Sequence, residues 1–148
     1  NGIGETLACE REDRAGGAGA ALQCSREALK RYPAYRALIY DFANALLEAR
    51  QPDEALRLVE ARLLTITDDY QLYLLQARSY AALNKRLSQH RAQAEAYVRM
   101  GNVTAAVEQL QIGLKTGEGD FFQLSSTEAR LRELRKLDAE MRREMGKR

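Results

Sequence analysis

QPDEALRLVEARL, residues 51–63, is the stretch whose reading decides the fold. Pro52 falls in a first helical turn, where its missing N–H costs no hydrogen bond. Asp53 and Glu54 place negative charge at the positive end of the helix dipole. Ala55, Leu56, Val59, Leu63 and Ile66 then recur at helical spacing, as the second helix of a helix hairpin would require. Upstream, GAALQCSREALKRYP (Gly19–Pro33) has the same shape, and its Ala21 stands 34 residues before Ala55. A further step of 34 reaches Gln89, in another helical segment.

A period of about 34 residues, built of two helices and short turns, resembles the tetratricopeptide repeat. The physical logic is burial: one helix pair cannot cover its own apolar face, whereas stacked pairs share a continuous core, with small residues where helices cross most closely. In that pattern the second unit carries Ile39, Phe42, Ala43, Leu46, Ala55 and Val59 at its packing places, with Arg62 where a small residue is usual. The third carries Tyr73, Ala77, Tyr80 and Ala96, with Gln76, Gln89 and Gln93 as departures. The first keeps Ala21, Ala28 and Pro33, but its opening helix, IGETLACERED, fits poorly.

The segment HRAQAEAYVRMGNVTAAVEQLQIGL (His90–Leu114) belongs to two units at once. Gly101 at the turn, then Ala106, Leu110 and Gly113, make His90–Met100 a first helix, although the same helix closes the third unit. Tyr80 and Tyr97 stand 17 residues apart, half a period. The expected architecture is therefore an all-α, right-handed superhelix of about three and a half hairpins. These are placed at about 3–33, 35–67, 69–99 and, overlapping, 88–116. Residues 117–148 follow as a loop and a C-terminal capping helix. TGEGDFFQL reads as the loop, pinned by Phe121 and Phe122, and Ser125 with Glu128 reads as a capping box opening the last helix. Leu131, Leu134, Leu137, Met141 and Met145 form its apolar stripe.

Composition agrees with this reading. Of 148 residues, 45% are hydrophobic and 30% charged, only two are proline, and strong helix formers dominate. A net charge of +2 gives no electrostatic footprint for nucleic acid. No apolar run approaches the roughly 20 residues that span a bilayer. The sequence begins at Asn1 without an initiator Met, and a piece of a longer protein is the expectation. Cys9 and Cys24 fall on neighbouring helices; two inert thiols are the plainer reading, and a disulfide is open to an exported protein.

Catalytic constellations are not legible. His90 is the only histidine, with no second histidine four residues on and no HExxH around it. A catalytic zinc needs about three protein ligands, so His90 reads as a packing or surface residue, and neither a metal nor a cofactor is expected in this chain. The run ARLRELRK (Ala129–Lys136) is interleaved with carboxylates and reads as the solvated face of a cap helix. The candidate site is instead a partner-binding groove on the first helix of each hairpin: Tyr40, Asn44 and Glu48, then Gln71, Leu74 and Arg78, then Arg91 and Glu95. Tyr40 and Arg78 are the expected anchors for an extended peptide.

The segment AEAYVRMGNVTAAVEQLQIGLKTGEGDFFQLSSTEARLRELRK, with PDEAL and LLQARSYAAL before it, resembles the C-terminal end of bacterial zinc metalloproteases of the barrel-assembly-enhancing type. In that family an HExxH protease domain precedes a tetratricopeptide domain. The resemblance runs from about Tyr35 onward. It implies a periplasmic location and a non-catalytic docking module of a larger zinc protease. Its partners would be the outer-membrane protein assembly machinery, its substrates, or the parent protease domain. None of the family's zinc ligands can be carried over, because this chain lacks the motif, and Cys9 and Cys24 are not expected of the family. The alternative is a free-standing tetratricopeptide scaffold or co-chaperone that binds a peptide segment.

Overall fold

The structure, a computed structural model, describes residues 3–5, 8, 9, 11 and 17–147. Among the described residues there is no strand. Residues 3–5, 8, 9 and 11 are helical, and the rest of IGETLACERED lies outside the described residues. Seven longer helices follow: α1 (Ala18–Arg31), α2 (Arg36–Glu48), α3 (Pro52–Leu63), α4 (Tyr70–Ala82), α5 (Arg86–Arg99), α6 (Val103–Leu114) and α7 (Phe121–Gly146). The contacts divide the chain into two compact units, Asn1–Thr67 and Asp68–Arg148.

The period is written into the turns. Arg50, Asn84 and Gly101 each take positive φ, at 60°, 58° and 80°. Each sits just beyond a helix end, where a left-handed residue redirects the chain. The next amide then bonds back across the helix end: Gln51 N–H to Leu46 O at 2.8 Å, Lys85 N–H to Tyr80 O at 3.0 Å, and Asn102 N–H to Tyr97 O at 2.9 Å. The left-handed residue bonds likewise: Arg50 to Leu47 O, Asn84 to Ala81 O, Gly101 to Val98 O. The same Schellman turn thus recurs after one full period and again after half a period. Sequence showed the glycine of the third; the Arg and Asn of the other two carry no comparable signal.

In the first unit α1 packs on α2 and α2 on α3. Ile39, Phe42, Ala43, Leu46, Ala55 and Val59 are buried, as their places in the repeat require, and Leu38 is buried beside them. Pro52 and the first-turn Asp53 and Glu54 open α3 as the sequence implied. Arg26 crosses from α1 to Glu54 of α3 at 2.6 Å while its guanidinium lies 5.0 Å from the Phe42 ring centroid. Cys9 and Cys24 form a disulfide, with Cα atoms 5.3 Å apart. The reading of two inert thiols is therefore corrected: the neighbouring helices bring the pair within bridging distance.

In the second unit α5 packs on both α4 and α6, and α6 on α7, so α5 serves both of the hairpins that overlap on it. Ala94, Val103, Ala106, Val107, Leu110, Leu131 and Leu134 make one buried cluster, with Tyr97, Val98 and Leu114 against it. Gly113 marks the α5–α6 crossing: a Cβ there would lie 3.2 Å from His90 Cβ and 3.3 Å from Leu87 Cδ1.

Two expectations about the C-terminal segment are corrected. The last helix opens at Phe121, four residues before Ser125, and its capping box is Asp120 with Gln123. Asp120 Oδ1 accepts from Gln123 N–H at 2.7 Å, and Gln123 Oε1 accepts from Asp120 N–H at 3.0 Å. Phe121 and Phe122 do not pin the loop; they are 86% and 77% exposed. Glu118 pins it instead, accepting from the Arg86 and Leu87 amides at 2.8 and 3.4 Å and from Arg86 Nε at 2.9 Å. A carboxylate at the first amides of α5 satisfies donors that the helix cannot and complements its dipole.

Candidate functional site

Within the second unit, α4, α5, α6 and α7 enclose an open cleft of about 620 Å³. From α4 come Tyr73, Gln76 and Tyr80, spaced three and four apart and so on one helix face. From α5 come Ser88, Arg91, Ala92 and Glu95; Leu110 of α6 lies at the base; Ser126, Ala129, Arg130 and Glu133 of α7 complete the wall. Aromatic rings, an amide, hydroxyls and paired charges on rigid helices suit a ligand with both apolar and polar groups.

Glu95 organises the charges. Its Oε1 accepts from Arg130 Nε at 2.8 Å, its Oε2 from an Arg130 terminal nitrogen at 3.1 Å and from Arg99 at 2.5 Å. Arg130 also bonds Glu133 at 2.9 Å. Arg99 reaches the Tyr73 hydroxyl at 3.2 Å and stacks 4.5 Å from that ring's centroid. Burial alone would raise the Glu95 carboxyl above its ordinary value. The bidentate Arg130 and then Arg99 outweigh it, and the net shift is downward. Arg130 is raised, chiefly by its hydrogen bonds to Glu95. This network ties α5 to α7 and positions both walls.

Arg91 stands apart from that network. It is half-buried, lines the cleft, and makes no hydrogen bond or ion pair among the described residues. Its guanidinium carries five donors and no acceptor, and the cleft carboxylates Glu95 and Glu133 are already paired with Arg130. His90, its neighbour, is occupied: Nδ1 lies 2.9 Å from Gln109 Oε1, and Cβ packs where α5 crosses Gly113. Of the packing and surface readings of His90, the structure shows packing. Among the described residues, no group of three or more His, Cys, Asp or Glu is placed to hold a metal ion.

No protein-family model and no curated protein matches the sequence. Among solved structures, the chain is similar to the crystal structure of a thermophilic TPR protein of Thermus thermophilus, with a TM-score of 0.50 at 16% identity. The match covers 99% of this chain and 98% of that one. The fold is the tetratricopeptide fold.

The residues expected to form a groove fall in different places. Arg91 and Glu95 meet in the cleft, one with its charge open and the other neutralised. Gln71, Leu74 and Arg78 are exposed on α4, on the face opposite Tyr73, Gln76 and Tyr80, since an offset of two residues turns a helix by about 200°. Tyr40 and Asn44 are half-buried and Glu48 exposed on α2, in the other unit. Tyr73 and Tyr80 had read as tetratricopeptide packing residues, and Arg130 as part of a solvated face. The one legible hint was Gln76, a polar side chain at a place where a large apolar residue is usual.

Proposed function

We propose that the chain is a protein-interaction module whose second unit binds an extended peptide segment bearing an acidic group. Arg91 carries this reading: a half-buried guanidinium without a counter-charge among the described residues, at the wall of a cleft lined by Tyr73, Gln76, Tyr80 and Ser88. In this reading the peptide carboxylate pairs with Arg91. Its backbone bonds Gln76 and Ser88, and its apolar side chains lie on the tyrosine rings. Glu95 holds Arg130 and Arg99 clear of the incoming group. The test is fluorescence anisotropy with a labelled hexapeptide ending in a free carboxylate, compared with its amide. The acid form binds the wild-type chain, and Arg91→Gln weakens it about tenfold at unchanged helix content. Equal binding of acid and amide, or no effect of Arg91→Gln, rejects the reading. Tyr40→Ala and Arg78→Ala in the same assay test the faces of α2 and α4.

The parent context is also a proposal: a docking module of a larger periplasmic zinc metalloprotease that serves outer-membrane protein assembly. The sequence resemblance supports it, and the Cys9–Cys24 disulfide supports an oxidising compartment. Intact mass and zinc content of the protein purified from its source decide it. A mass well above 16.7 kDa with about one zinc per chain agrees. A mass near 16.7 kDa without zinc leaves the free-standing scaffold.

A further inference from the structure

The charges of α7, mixed in sequence, sort by face once the helix is coiled. Arg132, Arg135, Lys136, Arg142 and Arg143 are all exposed. At about 100° per residue they fall within a sector of about 120°. Between residues 132 and 143 only Ala139 shares that sector. The carboxylates of this stretch lie outside it. Glu133 and Glu140 stand on one margin, and Asp138 turns toward α6, where it accepts from Thr104 Oγ1 at 2.7 Å. The result is a basic strip about 16 Å long on one side of α7.

Most of this charge is uncompensated. Arg142 pairs with Asp138 at 3.5 Å. The side chains of Arg132, Arg135, Lys136 and Arg143 make no hydrogen bond or ion pair among the described residues. Glu128 and Glu140 stand four residues from Arg132 and Lys136 and do not pair with them. Glu133 is taken by Arg130 at 2.9 Å.

The shape of the strip selects among polyanions. One helix is roughly 10–12 Å across; a nucleic-acid duplex or a bilayer is broader and would meet Glu133 and Glu140 as well. The apolar stripe of α7 lies on the far side, so a bilayer met by the strip gains no apolar insertion. Single-stranded nucleic acid needs rings on which its bases stack. α7 has no aromatic residue beyond Phe122, about 15 Å from Arg132 along the axis. On α7 a second copy of the chain offers the unpaired Glu128 and Glu140, about 18 Å apart, which cannot meet neighbouring basic groups together. An extended peptide sets alternate side chains about 7 Å apart, so three or four carboxylates follow the strip from Arg132 to Arg143. Guanidinium forks match carboxylates in bidentate pairs. We infer that this strip docks an extended acidic segment of a partner protein, whose carboxylates on alternate residues pair with Arg132, Arg135, Lys136 and Arg143. It is independent of the cleft and of Arg91.

The test is fluorescence anisotropy with a rhodamine-labelled octapeptide of alternating Glu and Ser, its C-terminus amidated. In low salt the peptide binds the wild-type chain saturably, and about 0.5 M NaCl weakens it about tenfold. Arg132→Gln, Arg135→Gln and Lys136→Gln together lower the affinity about tenfold. Arg57→Gln, Lys85→Gln and Lys115→Gln together remove the same charge from other exposed sites and leave it unchanged, as does Arg91→Gln. All these sites lie on the surface or in the cleft wall, and circular dichroism confirms equal helix content. No binding, an equal loss in the control triple variant, or a loss in Arg91→Gln would overturn the inference. So would tighter binding of duplex DNA, single-stranded oligothymidine or phosphatidylserine vesicles than of the peptide, or a wild-type dimer that the strip variant abolishes.

Discussion

Arg91 and His90 are adjacent in sequence and have opposite fates. His90 packs over Gly113 and bonds Gln109; Arg91 faces the cleft without a partner among the described residues. Sequence reasoning separated them by repeat position, because helical phase decides which neighbour turns inward. It did not find Arg130, since a residue in a charge-rich run gives no sign that it pairs across helices with Glu95. Two predictions belong at this scale. Gly113→Val crowds His90 and Leu87 and lowers stability by about 1–3 kcal/mol in urea unfolding. The lowered pKa of Glu95 gives the second. At neutral pH both states are ionised and the stabilisation is fully present. As pH falls below about 4.3 the unfolded state takes up protons first, and stability is lost until the folded carboxyl also protonates. Glu95→Gln therefore flattens the acid side of the stability profile, and an unchanged acid slope would contradict the network described here.

At the scale of elements, the helices were legible and their boundaries less so. Pro52, Asp53 and Glu54 announced α3 because they act within one turn of it. α7 was misread because two S/T/D-x-x-E/Q patterns compete there. Asp120 with Gln123 and Ser125 with Glu128 both satisfy the local rule, and the glycines at 117 and 119 made the chain up to Leu124 resemble loop. The structure separates the two by mutation. Asp120→Ala costs about 1 kcal/mol of stability, whereas Ser125→Ala, inside the helix, stays within about 0.5 kcal/mol of wild type. Thermal unfolding of both variants reads the difference. The turns offer a third test of the repeat. Arg50 is a non-glycine residue at φ 60°, so Arg50→Gly relieves strain and raises stability by up to about 1 kcal/mol.

For the molecule as a whole, the repeat period carried most of the information. A spacing of 34 and then of 17 residues identified the shared helix α5, and the left-handed residues Arg50, Asn84 and Gly101 keep that spacing in the turns. The cleft was not legible. It is built from side chains on four helices, and Tyr73 and Tyr80 also satisfy the packing pattern, which hides their second role. The disulfide is hidden for a similar reason, since two cysteines 15 residues apart read more plainly as thiols. Reduction is predicted to remove about 3 kcal/mol from the first unit, the value for a loop of about 15 residues, seen as faster amide exchange in α1. The most direct test of the account is a ¹⁵N NMR titration of the chain with the acid-ended hexapeptide. Shifts are expected to concentrate at Tyr73–Tyr80, Ser88–Glu95 and Ser126–Glu133, to be absent with the amide form and to be lost in Arg91→Gln. Shifts confined to other surfaces, or none at saturating peptide, would contradict it.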